Sequence, residues 1–285
     1  MSIFVTGASS QVGLYVRRHL AGTVPRVLVG RGMRAAAPGE TWLQADLWRD
    51  PPPSALSEAG ALVSFGPMDG LARWLAGFDG VAARRLVATS SMSAVSKRDS
   101  SIEAERALSA RLRAGEDALI AQCGRLGIAW TILRPTMIYG AGIDRNLTPV
   151  ARMARRTRMF PLPHASGLRQ PVHAEDVALA ALAAVRDGGA EGRIVEIGGG
   201  ERLSYRAMFE RVRASLGMWT LPLPVPRPAL RAAAALLPSL RGPLGRLDAD
   251  LVADNGVAVS ALGVEPRPFR PDAGTWQPCA WPGNA

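Results

Sequence analysis

Residues 6–13 read TGASSQVG, directly after the apolar run SIFV at 2–5. A strand that ends in a glycine turn and passes into a helix offers backbone N–H groups to a phosphate, at the end of the helix where the dipole favours negative charge. Gly7 permits the tight turn and Gly13 lets the helix pack closely, but Ser10 stands where a middle glycine is expected. Its Cβ obstructs the turn only if that residue needs positive φ, and its hydroxyl can donate to a phosphate. The turn therefore reads as weakened but usable. Val12, Tyr15, Val16, His19 and Leu20 continue at helical spacing as far as Gly22, and RVLVG follows at the distance of a βαβ unit.

The same alternation persists. Short apolar runs at WLQAD, ALVSFG, RRLVATSS and IAWTILRP are separated by helical patterns, the longest over 101–126 and closed by Gly127. The fold class predicted is α/β, a doubly wound Rossmann-type parallel sheet with a smaller C-terminal substrate lobe. The expected division is a dinucleotide-binding core at 1–140 and a lobe at 141–285 interleaved with the sheet edge. In the second half, a basic helix is expected near 147–160, a turn at PLPHASG, a helix over 174–186 and a strand at RIVEIGG.

Composition narrows the partners. A net charge of +10 on 285 residues could mark a nucleic-acid binder, but the arginines are scattered along the chain, so no nucleic-acid partner is expected. Cys123 and Cys279 lack metal-ligand spacing and His19, His164 and His173 form no cluster, so no metal is expected. Met1 leads straight into a strand with no signal-peptide pattern, which makes the cytoplasm the default expectation. The stretch 220–245 combines dense prolines with a short apolar run; prolines interrupt a long helix, so no transmembrane span is expected, and a loop covering a pocket is the plain reading.

The end of the second strand bears on the cofactor. An acid there bonds a ribose 2′-hydroxyl, whereas arginine suits a 2′-phosphate. The sequence runs Gly30, Arg31, Gly32, Met33, Arg34, so Arg31 and Arg34 favour NADP over NAD.

Several motifs together resemble the short-chain dehydrogenase/reductase superfamily, in its extended or atypical branch of NAD(P)-dependent epimerases and dehydratases. TGASSQVG is similar to that family's TGxxGxxG, QADLWRD to its adenine-contacting segment, and VSFGP to the end of its fourth strand. LRPTMIYG at 133–140 resembles RPxxxYG, and RQPVHAEDVA at 169–178 resembles RxFxHVxDVA. The resemblance implies cofactor contacts at Gly7, Ser9, Ser10, Gln11, Val12, Gly13, Asp46, Leu47, Phe65, Gly66, Pro67, Thr89 and Pro135. It also implies a small-molecule substrate, anionic or a sugar nucleotide, and leaves a homo-oligomer open.

One departure matters. The family's proton relay is a Tyr-x-x-x-Lys pair on the long helix, and Tyr15, Tyr139 and Tyr205 all lie elsewhere. Alignment on RAGEDAL puts Ser109 and Arg113 at those positions, where a serine is a poor acid and an arginine keeps its proton. Ser90 and Ser91 match the family's substrate-binding serines, with Ser91 the candidate donor. Ser93 and Lys97 share a Ser-x-x-x-Lys spacing known from serine hydrolases, a motif that requires a helical setting. His173 and Asp176 are expected to be scaffolding, while Arg152, Arg155, Arg156 and Arg158 could hold an anionic substrate. The function expected is an NADP(H)-dependent epimerase/dehydratase-like oxidoreductase on a carbonyl or hydroxyl substrate. The alternatives are a non-catalytic NADPH sensor or assembly protein on the same fold, and a sugar-nucleotide binder without redox chemistry.

Overall fold

The computed structural model describes residues 2–236 and 244–280. Its first half runs β1 (Ile3–Thr6), α1 (Gln11–His19), β2 (Arg26–Gly30), β3 (Glu40–Gln44), α2 (Ala55–Glu58), β4 (Ala61–Ser64), α3 (Met68–Ala76), β5 (Arg85–Thr89), α4 (Ser93–Ser96), α5 (Glu103–Leu126) and β6 (Ala129–Pro135). The second half adds β7 (Ile138–Tyr139), α6 (Leu147–Thr157), β8 (Met159–Pro163), β9 (Leu168–Arg169), β10 (Val172–His173), α7 (Ala174–Asp187), β11 (Arg193–Ile197), β12 (Leu203–Ser204), α8 (Tyr205–Ala214), β13 (Leu221–Val225) and α9 (Arg227–Leu236). A further helix spans Gly256–Leu262.

Seven parallel strands form one sheet in the order β11-β6-β5-β4-β1-β2-β3. The strands grow outward from β1 in one direction, then from β4 in the other, so a crevice opens at the carboxyl ends of β1 and β4. β1 and β4 are buried along their whole length, as central strands covered on both faces must be. On one face α1 and α7 pack together, with Val12 and Val16 meeting a run of small buried residues that includes Ala178, Ala181 and Ala184. On the other, Leu71, Trp74, Leu119 and Cys123 fill the space beneath α3 and α5. A third core, around Phe160, Met208, Phe209 and Trp276, belongs to the lobe.

The second half is not confined to the lobe. α7 and β11 return to the main sheet, β11 pairing along β6 from Arg193–Thr131 to Ile197–Pro135. The basic helix stops at Thr157, earlier than expected, because Arg158 adopts φ 59° and Phe160 enters β8. The proline-rich stretch is neither a loop nor one helix: β13 pairs in parallel with β8, and α9 follows. Residues 237–243 of that stretch lie outside the described residues. Among the described residues, no helix is long and apolar enough to cross a membrane.

One polar cluster is buried against this sheet. The Glu40 carboxylate accepts from Arg17 at 2.7 Å and from Arg26 at 3.1 Å, with all three side chains shielded from solvent. Burial alone would raise the Glu40 carboxyl, but Arg17, the Ala37 N–H and Arg26 overcome it and hold the group below its ordinary range. Its depressed folded value means that the stabilisation is present above the unfolded value of about 4.3 and disappears as pH falls through the folded value. Glu40→Ala leaves two buried guanidiniums without their carboxylate and is expected to cost about 3–5 kcal/mol in urea unfolding at neutral pH. A loss below about 1 kcal/mol, the scale of an exposed pair, would show that the cluster is solvated.

Candidate functional site

The crevice between β1 and β4 opens into a cavity of about 660 Å³. Its floor is the turn after β1. Gly7 has φ 65°, and a Cβ there would sit 2.6 Å from the Phe65 carbonyl carbon. A Cβ on Gly13 would meet the carbonyl oxygens of Gly7 and Ala8 at 2.7 Å. The two glycines thus allow the turn to wedge between helix and strand.

Ser10 does not disrupt this arrangement. Its φ of −75° is ordinary for any residue, and its hydroxyl oxygen caps α1 by accepting from the Gly13 N–H at 3.0 Å. The N–H groups of Gln11 and Val12 have no backbone acceptor among the described residues, leaving two donors at the positive end of α1. Among the described residues, Gln11 Oε1 is buried without a partner, and so is the Thr89 hydroxyl. Such orphans are costly unless a ligand completes them.

The structure gathers most of the expected contacts around this cavity. Gly7, Ser9, Ser10 and Gln11 line it from the turn, Arg31 from the end of β2, and Asp46 and Leu47 from the loop after β3. Phe65, Gly66 and Pro67 close the β4 side. Val12 and Gly13 lie behind the wall in the α1 core, and Arg34 is absent from the lining. Two contributors escaped the sequence reading: Trp48, 52% exposed at the rim, and the crossing loop 143–146 from the lobe. Asp144 anchors that loop by capping α6, accepting from the N–H groups of Asn146, Leu147 and Thr148. An aspartate shortly before a helix is a cap signal visible in sequence.

Gln11 and Asn146 also line a second, neighbouring cavity of about 440 Å³. Ser90, Ser91, Ser93 and Lys97 wall it from the end of β5 and from α4, with Pro135 at the end of β6. Arg169 and Arg246 face them from the lobe. Ser90 is committed to Glu116 at 2.5 Å, and Glu116 also accepts from Arg134 at 2.8 Å. The Ser91 hydroxyl oxygen accepts from the Ser93 N–H at 3.1 Å, which leaves its proton available.

Two expected catalytic positions do not reach either cavity. Ser109 is fully buried, its hydroxyl donating to the Ala94 carbonyl at 2.7 Å because α4 lies between α5 and the cavity. Arg113 is exposed on α5. The α6 arginines also point away: Leu147, Thr148, Ala151 and Ala154 face inward, which leaves Arg155 and Arg156 in solvent, while Arg152 donates to the Gly142 carbonyl. His173 caps α7 through Nδ1, and Asp176 is paired with Arg267 at 2.7 Å, so both support the scaffold.

The tyrosines offer no substitute for the missing pair. Tyr15 donates to the Gly140 carbonyl at 2.9 Å, and burial pushes its phenol up to about 12. Burial also raises Tyr139, which packs edge-on against His173 and Phe269, and Tyr205, which lies beneath the Arg169 guanidinium.

This architecture has known counterparts. Residues 78–198 match the family model described as NAD dependent epimerase/dehydratase family. That match contains both later signatures, LRPTMIYG and RQPVHAEDVA, and omits the phosphate turn. A UDP-glucuronic acid 4-epimerase from Bacillus cereus, solved in complex with NAD, superposes at TM-score 0.74 with 12% identity, covering 98% of this chain and 97% of that one. A UDP-N-acetylglucosamine 4-epimerase from the same organism gives TM-score 0.69 and 16% identity over 97% and 94%. A short-chain dehydrogenase/reductase superfamily protein from Agrobacterium tumefaciens, with bound NAD, gives TM-score 0.69 and 15% identity over 95% and 94%. No curated protein matches the chain by sequence. The fold is the Rossmann type shared by these structures, and the epimerase/dehydratase model matches across the segment that carries the two later signatures.

The geometry of Gly7 yields a direct test. Gly7→Ala places a side chain in the left-handed region, which costs about 1–3 kcal/mol before the Phe65 clash is counted. Thermal unfolding should show a clear drop in Tm, and an unchanged Tm would mean that the turn relaxes without the wedge.

Proposed function

We propose that this protein is a nicotinamide-dinucleotide-dependent, epimerase/dehydratase-like oxidoreductase acting on a hydroxyl or carbonyl of a small anionic or nucleotide-linked substrate. The observation that carries the reading is the cavity at the β1/β4 switch point, lined by the start of α1, where the Gln11 and Val12 N–H groups have no backbone acceptor and Gln11 Oε1 no partner among the described residues. Gln11, Val12 and Ser10 would hold the pyrophosphate, Asp46 and Leu47 the adenine side, and Arg31 the ribose end. When bound, the cofactor supplies hydride chemistry.

The second cavity supports the substrate class. Lys97, Arg169 and Arg246 bring three positive charges to it; Glu105 pairs with Lys97 and Arg246, and Glu116 behind Ser90 is held by Arg134. The Arg169 guanidinium is buried, which pulls it below its ordinary range, and it donates to the carbonyls of Leu168, Arg246 and Ala249. Its contribution to an anionic ligand is therefore a fixed field rather than a mobile clamp. NAD is the cofactor named for two of the solved neighbours described above, and Arg31 favours the phosphorylated form here.

A second reading is a dinucleotide sensor without turnover, favoured by the commitment of all three tyrosines elsewhere. Binding with no hydride exchange across a panel of UDP-sugars would select that reading. Calorimetric titration decides the cofactor. NADPH should bind at micromolar affinity or better and NADH more weakly, and Arg31→Ala should cost NADPH about 1.5–3 kcal/mol while barely changing NADH. Equal losses would remove Arg31 from the site, and no binding of either nucleotide would overturn the reading.

A further inference from the structure

Lys97 is the only lysine among 34 basic residues, and it stands in the wall of the second cavity. Every other residue of that set is an arginine. What arginine cannot do is release a proton, because its guanidinium stays charged in proteins.

Lys97 is also well placed. α4 carries it at its C-cap, with the Lys97 N–H on the Ser93 carbonyl at 3.3 Å, so Ser93 and Lys97 share one side of a helical turn. The ammonium lies 3.5 Å from Glu105 Oε1, while Arg246 holds that same oxygen at 2.8 Å. The carboxylate is therefore engaged more closely by Arg246, and the ammonium retains donors for a ligand. Its side chain is 15% exposed, which leaves a path from the cavity. The charged groups around it are Glu105 on α5, Arg246 and Arg169 from the lobe, and Arg98 and Asp99 beside it in sequence.

Other proton carriers are engaged elsewhere. Glu116 is held by Arg134 and Ser90, and the Thr136 hydroxyl donates to the Gln170 carbonyl. His173 caps α7, His19 is on Glu175, and His164 lines a different cavity beside Leu162 and Pro224. Of the described residues lining the second cavity, Lys97 alone combines a readily exchanged proton with a charge.

We propose that Lys97 exchanges a proton with the reacting oxygen of the substrate, in place of the absent Tyr-x-x-x-Lys pair, with Ser91 orienting that oxygen. The inference rests on the dinucleotide reading. When bound, a reduced dinucleotide would supply the hydride for the new C–H bond at the carbonyl carbon. The C=O π pair then takes a proton from Lys97 Nζ to give the hydroxyl, and the neutral amine regains a proton from water. Oxidation reverses each transfer.

Calorimetry of the full chain with oxidised dinucleotide, in buffers of different ionisation enthalpy near pH 9, tests the proposal without a known substrate. Proton exchange at Lys97 requires the cofactor's reacting end to enter the second cavity, where its positive charge would oppose that of the ammonium, so wild type should release a measurable fraction of a proton on binding. Lys97→Arg should bind within about threefold of wild type, since it keeps the charge, and release less. As a second readout, a dinucleotide whose reacting end enters the second cavity should slow acylation of Lys97 about tenfold or more by burying the amine, with the N-terminal amine as internal control. Binding with equal proton release from both proteins, or with Lys97 unprotected, would overturn the proposal and leave the cofactor reading standing. Failure of both proteins to bind would overturn the two together.

Discussion

The structure depends on the fit of Gly7 against the backbone of Phe65. β1 and β4 are adjacent strands that leave the sheet in opposite winding directions, and their carboxyl ends must separate enough to hold a ligand but not so far that the sheet opens. A left-handed residue without a side chain at position 7 meets both demands, because any Cβ would lie within 2.6 Å of the Phe65 carbonyl carbon. Gly13 then seats α1 on the carbonyls of that turn, so the start of α1, whose first two N–H groups have no backbone acceptor among the described residues, borders the crevice. Ser10 is compatible with the turn because the conformation asks nothing of it that a side chain forbids.

From that wedge the two cavities acquire different characters. The first is built around the glycine turn and the start of α1, with Arg31, Asp46, Asp144 and Arg145 as the charged residues of its lining. The second is built around side chains, three of them cationic, brought together from α4, β9 and the segment that follows the proline-rich stretch. Gln11 and Asn146 belong to both, so one ligand extending across them, or two meeting there, would complete the buried amide of Gln11. The remaining polar residues of the family-like signatures have become framework: Arg134 on Glu116, His173 on α7, Asp176 on Arg267.

Much of this was legible in the sequence because parallel sheets write themselves as continuous apolar runs closed by glycine turns. β1, β2, β4, β5 and β6, and the contacts at Gly7, Asp46 and Gly66, follow from such runs. What escaped depends on distance rather than pattern. No local signal says that β11 closes the main sheet, since its pairing partner lies 62 residues earlier at Arg193 and Thr131. The assignment of Ser109 failed because helical spacing fixes a face but not what covers it, and α4 covers that face. Lys97 was visible only as a spacing from Ser93, and its relation to Glu105 and Arg246 exists only once the lobe has folded over α4.

The central claim is that the serine-bearing turn still receives a dinucleotide. Amide hydrogen exchange with and without NADPH tests it most directly, because the Gln11 and Val12 N–H groups have no backbone acceptor among the described residues. The account predicts that exchange at these two amides slows markedly on addition of NADPH, together with that of Gly66 across the crevice. Unchanged exchange at residues 7–13 under conditions where NADPH binds would place the nucleotide elsewhere and contradict the account.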